Sequence, residues 1–590
     1  MALILSEITK DVSIKMTKIR SQTEGACARL VGFLENKVRD SLEKLAQGSS
    51  DDLDRLMLLF GFQVLFVICL AKYAVSAEVN RHAPKGGRFE YNLRQEPARL
   101  FPLEKWTVVN SEVMRFGCSR LLERDLNTYE WIPAIAEKWE ISRDNREFTF
   151  KIRKDAFFHD GSRVTADDVK FSFEEAKRQS LSGKFGSAFM DGLKSIEVID
   201  SQTIKFHAKD TYYQNFGTIY YVYIIPKHIY GVANARRSAG EGFVCAGPYK
   251  FESWDLKKKI VLKKFDRWFG RNQSEWAGYY NFDTVVFHFI QNNSKLVDLI
   301  AKKQVDYSPV VTFNKKSDKR VKKLAKRVVN KTPMSSLVVG VNFRNSVLKD
   351  QRVRRALSLL FDRESINRKF FEKAFELANG PFPLNSNYNS GGPSLEFSPS
   401  RARTLLTEAG WLDSNGDGVL DKSGKDGLQN LELVLAFNNR TYEPALSAWV
   451  AEARKSGVVI KMRFYEGLSI FDSVERDNVD LWTFNLMDDQ IEEDPTAIYH
   501  SPQMGQIGYN LGNYVNPEVD RLLEDARMTV QYKKRIESFR KLGNMLRDDL
   551  PFIYLFSSKN IDYLVSDRVG RPADTFNYGI GVETWWLNDN

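Results

Sequence analysis

Asp413, Asn415, Asp417, Val419 and Asp421 put oxygen donors at positions 1, 3, 5, 7 and 9 of a short Asp/Gly-rich stretch, the spacing with which a calcium loop surrounds its ion. The twelfth position, where a bidentate glutamate completes such a loop, is Gly424. The pattern therefore predicts a tight Asp/Gly turn first and a weak, purely structural calcium site second. Other residues able to do chemistry are scattered. The six histidines (His82, His159, His207, His228, His288, His500) show no partner spacing, and no G-x-S-x-G, H-E-x-x-H or phosphate-loop motif occurs. The four cysteines form no C-x-x-C pair, and none sits at ligand spacing from a histidine, which argues against structural zinc. Cys118 and Cys245 alone follow the export segment described below; whether they pair is open on sequence grounds. No catalytic residue, cofactor or resident metal is assigned.

The elements that position these residues read as mixed α/β. Glu147–Arg153 (EFTFKIR) alternates apolar and polar residues as a half-buried strand does. Thr165-Ala166-Asp167-Asp168 opens a helix whose acidic first turn complements the helix dipole. Ser195–His207 reads as two strands about an Asp-Ser-Gln turn, and Ile260–Lys264 and Thr284–Ile290 as further strands. Gln351–Phe361 and Arg401–Ala409 are amphipathic helices. Leu431–Phe437 and Val458–Phe464 are strands around a helix over 442–455, a β-α-β texture of sheets covered by helices. Gly380–Pro393, rich in Gly, Pro, Asn and Ser, is a loop.

At 590 residues the chain exceeds what one hydrophobic core supports, so at least two lobes are expected. Its formal charge of +10 is a mild excess of 86 basic over 76 acidic groups. The one dense basic run, Lys315–Lys331, reads as a solvated helix face, and nucleic acid is not an expected partner. Leu56 to Ala71 is an apolar run of sixteen residues, shorter than the roughly 20 that cross a bilayer. Val75-Ser76-Ala77 follows it, so the run reads as a signal-peptide core over 56–77 with cleavage after Ala77; an uncleaved anchor is the alternative. Residues 1–55 precede it as an extension without an assigned role.

Several segments together resemble one family. Pro133-Ala134-Ile135-Ala136-Glu137-Lys138-Trp139-Glu140 leads through Phe148–Lys154 and Phe158-His159-Asp160-Gly161 to Thr165–Ser172. Ala246-Gly247-Pro248-Tyr249 follows, then Asn342-Phe343 with Asp350, Arg352–Ala356 and Asp362-Arg363. Gly512–Asp520 and Leu550–Tyr554 complete the series. This ordered set is similar to the bacterial extracellular solute-binding proteins of family 5, the oligopeptide, dipeptide and nickel binders, and looks closest to their YejA-like branch.

That resemblance implies an α/β, two-lobed periplasmic-binding-protein type II fold with an extra subdomain and an interlobe ligand cleft. Lobe I would comprise 78–115, 245–335 and 555–590, the extra subdomain 116–244 and lobe II 336–554, with strands crossing between lobes as the hinge. It implies a monomeric, periplasmic carrier that takes a peptide-like solute to the permease subunits of an ABC importer. A carboxylate should meet the ligand's amino terminus, because a buried ammonium needs a paired charge. The corresponding segment runs from Trp482 to Asp494-Pro495 and is longer than in the family's peptide binders. Asp488 or Asp489 is the expected anchor, Trp482 an aromatic wall, with Phe484 and Asn485 beside it and Asn342 near the cleft. The bare alternative is an acidic surface loop over 488–494. Rival functions are capture of an oligosaccharide, opine or metal complex, a sensory or chaperone binder, and, with no motif to support it, a hydrolase.

Overall fold

The computed structural model describes residues 77–590, apart from 104–107, 181–191, 233–239, 310–323, 330–335, 394, 425–426, 466–469, 471–473, 475–476, 478, 487–493, 504–509, 559 and 589–590. The apolar run 56–71, residues 1–55 and most of the basic run lie outside the described residues. Glu78–Asn590 forms one compact unit.

Three sheets organise it. The first has seven strands in the order Ala325–Val329, Asn560–Val565, Tyr307–Pro309, Arg88–Asn92, Thr284–His288, Lys259–Lys264 and Tyr249–Asp255. The second has six, in the order Phe375–Leu377, Phe552–Ser558, Ser336–Val341, Leu481–Leu486, Glu432–Phe437 and Val459–Phe464. The third, with four strands, is antiparallel throughout, in the order Ala136–Ile141, Glu147–Ile152, Thr203–Ala208 and Leu193–Asp200. Burial explains the composition of each. Ser336–Val341 (SLVVGV) is buried at every position, as a central strand covered on both faces must be. Glu147–Ile152 instead alternates, because only one face of the small sheet meets a core.

The helix Ala166–Ser180 starts where its acids predict. Thr165 N–H donates to Asp168 Oδ2 at 3.0 Å and Asp168 N–H returns to Thr165 Oγ1 at 3.4 Å, a capping box closed by aspartate. Asp168 Oδ1 also accepts from Lys227 N–H, so the cap fastens the next segment.

The chain passes between the first and second sheets on one antiparallel ribbon. Ala325–Val329 pairs with Asn560–Val565 in the first sheet, and their continuations, Ser336–Val341 and Phe552–Ser558, pair in the second. The expected boundary at 554/555 falls inside Phe552–Ser558, whose pairing within the second sheet runs to Ser558. Helices Gln351–Leu359, Pro399–Glu408 and Glu443–Lys455 cover one face of the second sheet. Helices Pro517–Met528 and Tyr532–Asp549 cover the other.

The third sheet is an insertion, and its two connections are bonded to each other: Cys118 and Cys245 form a disulfide with Cα atoms 5.0 Å apart. The pairing left open by spacing is thus made by tertiary contact. His159 completes this neck. Its Nδ1 accepts from Cys245 N–H and its Nε2 lies 3.2 Å from Gly247 O. Burial pushes this imidazole down to about 4, so it is neutral at neutral pH. Trp268, Phe269 and Trp276 of the first lobe share one apolar core with Phe148, Phe150 and Phe206 of the insertion.

Candidate ligand-binding site

Leu481–Leu486 is the strand that carries the expected site, and its two-residue period divides the candidates between two faces. Trp482 and Phe484 point to the core beneath the helices Pro517–Met528 and Tyr532–Asp549. Trp482 is 1% exposed and lies flat on Gly340, where a Cβ would come within 2.2 Å of the indole. It is therefore a core side chain in this state, and its Nε1 finds no acceptor among the described residues. Phe484 is half-buried, its ring 5.4 Å from Phe552, which in turn meets Tyr499 at 5.5 Å. Asn485 belongs to the opposite face, is exposed, and hydrogen-bonds Tyr442. Asp488 and Asp489 lie outside the described residues.

Asn342 stands elsewhere. Register places Val341 against Leu481 and Ser336 against Leu486, so Asn342 is at the far end of the strand, roughly 20 Å from Leu486. Its side chain is 1% exposed, donates to Val479 O at 2.8 Å and accepts from Arg344 N–H at 3.0 Å. Its bonds are internal to the fold.

Asp494 is the first described residue after 486, and spacing alone did not single it out from its acidic neighbours. Its Oδ1 accepts from Thr496 N–H at 3.0 Å, and its Oδ2 accepts from Tyr212 Oη–H at 2.8 Å and lies 3.0 Å from Arg527 Nε. Burial, then the Asp494 carboxylate, hold the Tyr212 phenol well above its ordinary range, so it remains a donor. For Arg527, burial opposes the charge most strongly, but Asp494 together with Tyr212 and Tyr213 outweighs it and raises the guanidinium. Tyr212 comes from the inserted subdomain, 282 residues away in sequence. No local signal joins the two.

The Asp413–Asp421 stretch is a turn bonded to itself. Asp413 accepts from Gly416 and Gly418 N–H, Asn415 Oδ1 from Asp417 N–H, Asp417 from Val419 N–H, and Asp421 from Ser414 N–H and Oγ. Among the described residues no three His, Cys, Asp or Glu side chains converge as a metal site. A cavity of about 370 Å³ lies between the insertion and the first lobe, lined by Glu137, Lys151, Arg153, Glu275 and Trp276 among others. Its buried cation is held within the fold, Arg153 bonding Ala134 O and Asp155.

Comparison with known proteins agrees with this architecture. Residues 130–505, well over half of the chain, match the family described as bacterial extracellular solute-binding proteins, family 5 Middle. The chain is 28% identical over 459 residues to the oligopeptide-binding protein AppA of Bacillus subtilis, covering 75% of this chain and 80% of that one. It is 24% identical over 491 residues to a dipeptide-binding protein of Escherichia coli, covering 77% and 86%. Among solved structures, that of Bacillus subtilis AppA with a nonapeptide aligns with a TM-score of 0.70 at 24% identity, over 86% of this chain and 99% of that one. NikZ of Campylobacter jejuni with Ni(L-His) aligns with a TM-score of 0.69 at 22% identity, over 85% and 99%. With its two sheets joined by one ribbon and a third inserted, the chain belongs to the bacterial extracellular solute-binding proteins of family 5 and has their two-lobed α/β fold.

Proposed function

We propose that this protein captures peptide-like solutes in the cleft between its lobes and hands them to the permease of an ABC importer, acting as a monomer and performing no catalytic step itself. The observation that carries this reading is the end-to-end correspondence with a relative solved around a nonapeptide. Its lobes would be 78–115, 245–335 and 560–590 for the first and 336–558 for the second, with 116–244 inserted. The ligand's ammonium would be met by Asp488 or Asp489, with the half-buried Phe484 and the exposed Asn485 beside it. Trp482 would act from below, supporting the strand rather than touching ligand.

The protein would work outside the cytoplasm after cleavage behind Ala77. The Cys118–Cys245 bond supports an oxidising compartment, and the compact unit begins at Glu78, the residue after the expected cut.

A thermal-shift screen of the purified protein against pooled di- to octapeptides, sugars and metal complexes tests the reading. A ligand at 100 times its Kd adds about 2.7 kcal/mol of stability. A shift with peptides that Asp488→Asn or Asp489→Asn abolishes is expected. A shift with sugars or nickel–histidine and none with peptides would replace the ligand class while leaving a carrier.

A further inference from the structure

Besides the ribbon, the described residues show a second tie between the first lobe with its insertion and the second lobe. It is a knob, Tyr212-Tyr213, between the strand Thr203–Ala208 and the helix Asn215–Thr218. The knob is braced from behind: Asn145 Nδ2 donates to Tyr212 O at 2.6 Å, and Asn215 Nδ2 donates to Asn145 O and Asp210 O. Across the gap Tyr213 enters the second lobe's core. It is 9% exposed, lies 6.1 Å from Phe539 and sits under the Arg535 guanidinium at 4.0 Å. Its N–H donates to Arg527 O at 3.1 Å. Tyr212 lies under the Arg527 guanidinium at 4.6 Å while its hydroxyl bonds Asp494.

We infer that Tyr212 and Tyr213 are positioning residues for ligand capture: they lock the inserted subdomain to the second lobe and hold Asp494 against the helix Pro517–Met528. One ribbon permits rotation of the lobes, and a second contact off that axis removes it. The contact is confined to one buried ring and a few polar groups, against the broad apolar core at the neck, so it can form on closure and release on opening. Asp494 joins three parts of the chain in one carboxylate: its own turn through Thr496, the helix through Arg527, and the insertion through Tyr212. A shift of the insertion is therefore transmitted to Asp494 and the turn at Thr496 without Tyr212 touching ligand.

The consequence for capture rests on the peptide-carrier reading; the contact does not. Small-angle scattering of the ligand-free protein needs no solute, and Tyr213→Ala and Tyr212→Phe are both expected to raise the radius of gyration. Tyr212→Phe keeps the ring and the fold and removes only the hydroxyl, so it decides the matter if the alanine variant does not fold. For the pool peptide with the largest thermal shift, Tyr212→Phe and Asp494→Asn should each speed dissociation about tenfold, equivalent to 1.4 kcal/mol. The double variant should be no faster than either single one, and association should be unchanged. Wild-type dimensions in Tyr212→Phe, or strictly additive effects in the double variant, would overturn the inference. Altered dimensions with no peptide bound by any variant would leave the lock standing and remove the peptide reading.

Discussion

At its base the inserted subdomain is joined to the first lobe by a disulfide, a buried imidazole and a shared aromatic core, whereas at its tip it meets the second lobe through one buried ring and a few charge-assisted bonds. The neck closes a loop over a separation of 127 residues, so its covalent bond removes much disorder from the unfolded chain. The tip brings together groups that water would otherwise solvate, and its net stabilisation is modest. The difference separates what holds the subdomain on from what sets its angle. A two-lobed carrier needs both, since the cleft must open without the insertion detaching.

Four measurements would break or sharpen that contrast. Cys118→Ser should have the largest effect, about 4 kcal/mol of unfolding free energy, and reductant should lower the wild type to the same level in denaturant titrations. Tyr213→Ala should cost about 3 kcal/mol, as loss of a buried aromatic ring does. If it cost as much as the disulfide, tip and neck would be structural equals. His159, with a folded pKa of about 4 against an ordinary 6.5, is protonated more readily in the unfolded chain. Its contribution is therefore complete above pH 6.5 and is lost as pH falls from there toward 4, on the order of 3 kcal/mol. The wild type minus His159→Gln difference, followed from pH 7 to 4, reads this directly; a flat difference would remove the imidazole from the neck. Tyr212→Phe should be smallest, about 1 kcal/mol in melting, with its effect expressed in lobe position instead.

Much of the architecture was legible from residues. The alternation of Glu147–Ile152, the acids in the first turn of Ala166–Ser180 and the β-α-β run from Glu432 to Phe464 are local patterns, and the fold keeps them as read. The Asp413–Asp421 turn was legible too, since its bonds join neighbours along the chain. The site was less so. Asn342 and Trp482 lie in motif-bearing segments, yet one is bonded within the backbone and the other packed on Gly340, because a segment can be distinctive for packing reasons alone. Asp494 looked like one acid among several, and its partners Tyr212 and Arg527 come from segments that share no pattern with it.

By itself the sequence determined which stretches are strands and helices, that the chain must divide into lobes, and which family it resembles. These follow from periodicity, length and local motifs, each written within a few dozen residues. Tertiary structure alone decided that Cys118 meets Cys245, that Trp482 faces inward, and that a tyrosine pair from the insertion grips the second lobe at Asp494. These contacts span tens to hundreds of residues. Their energy comes from excluding water around groups that approach only once three sheets have packed, so no local pattern encodes them.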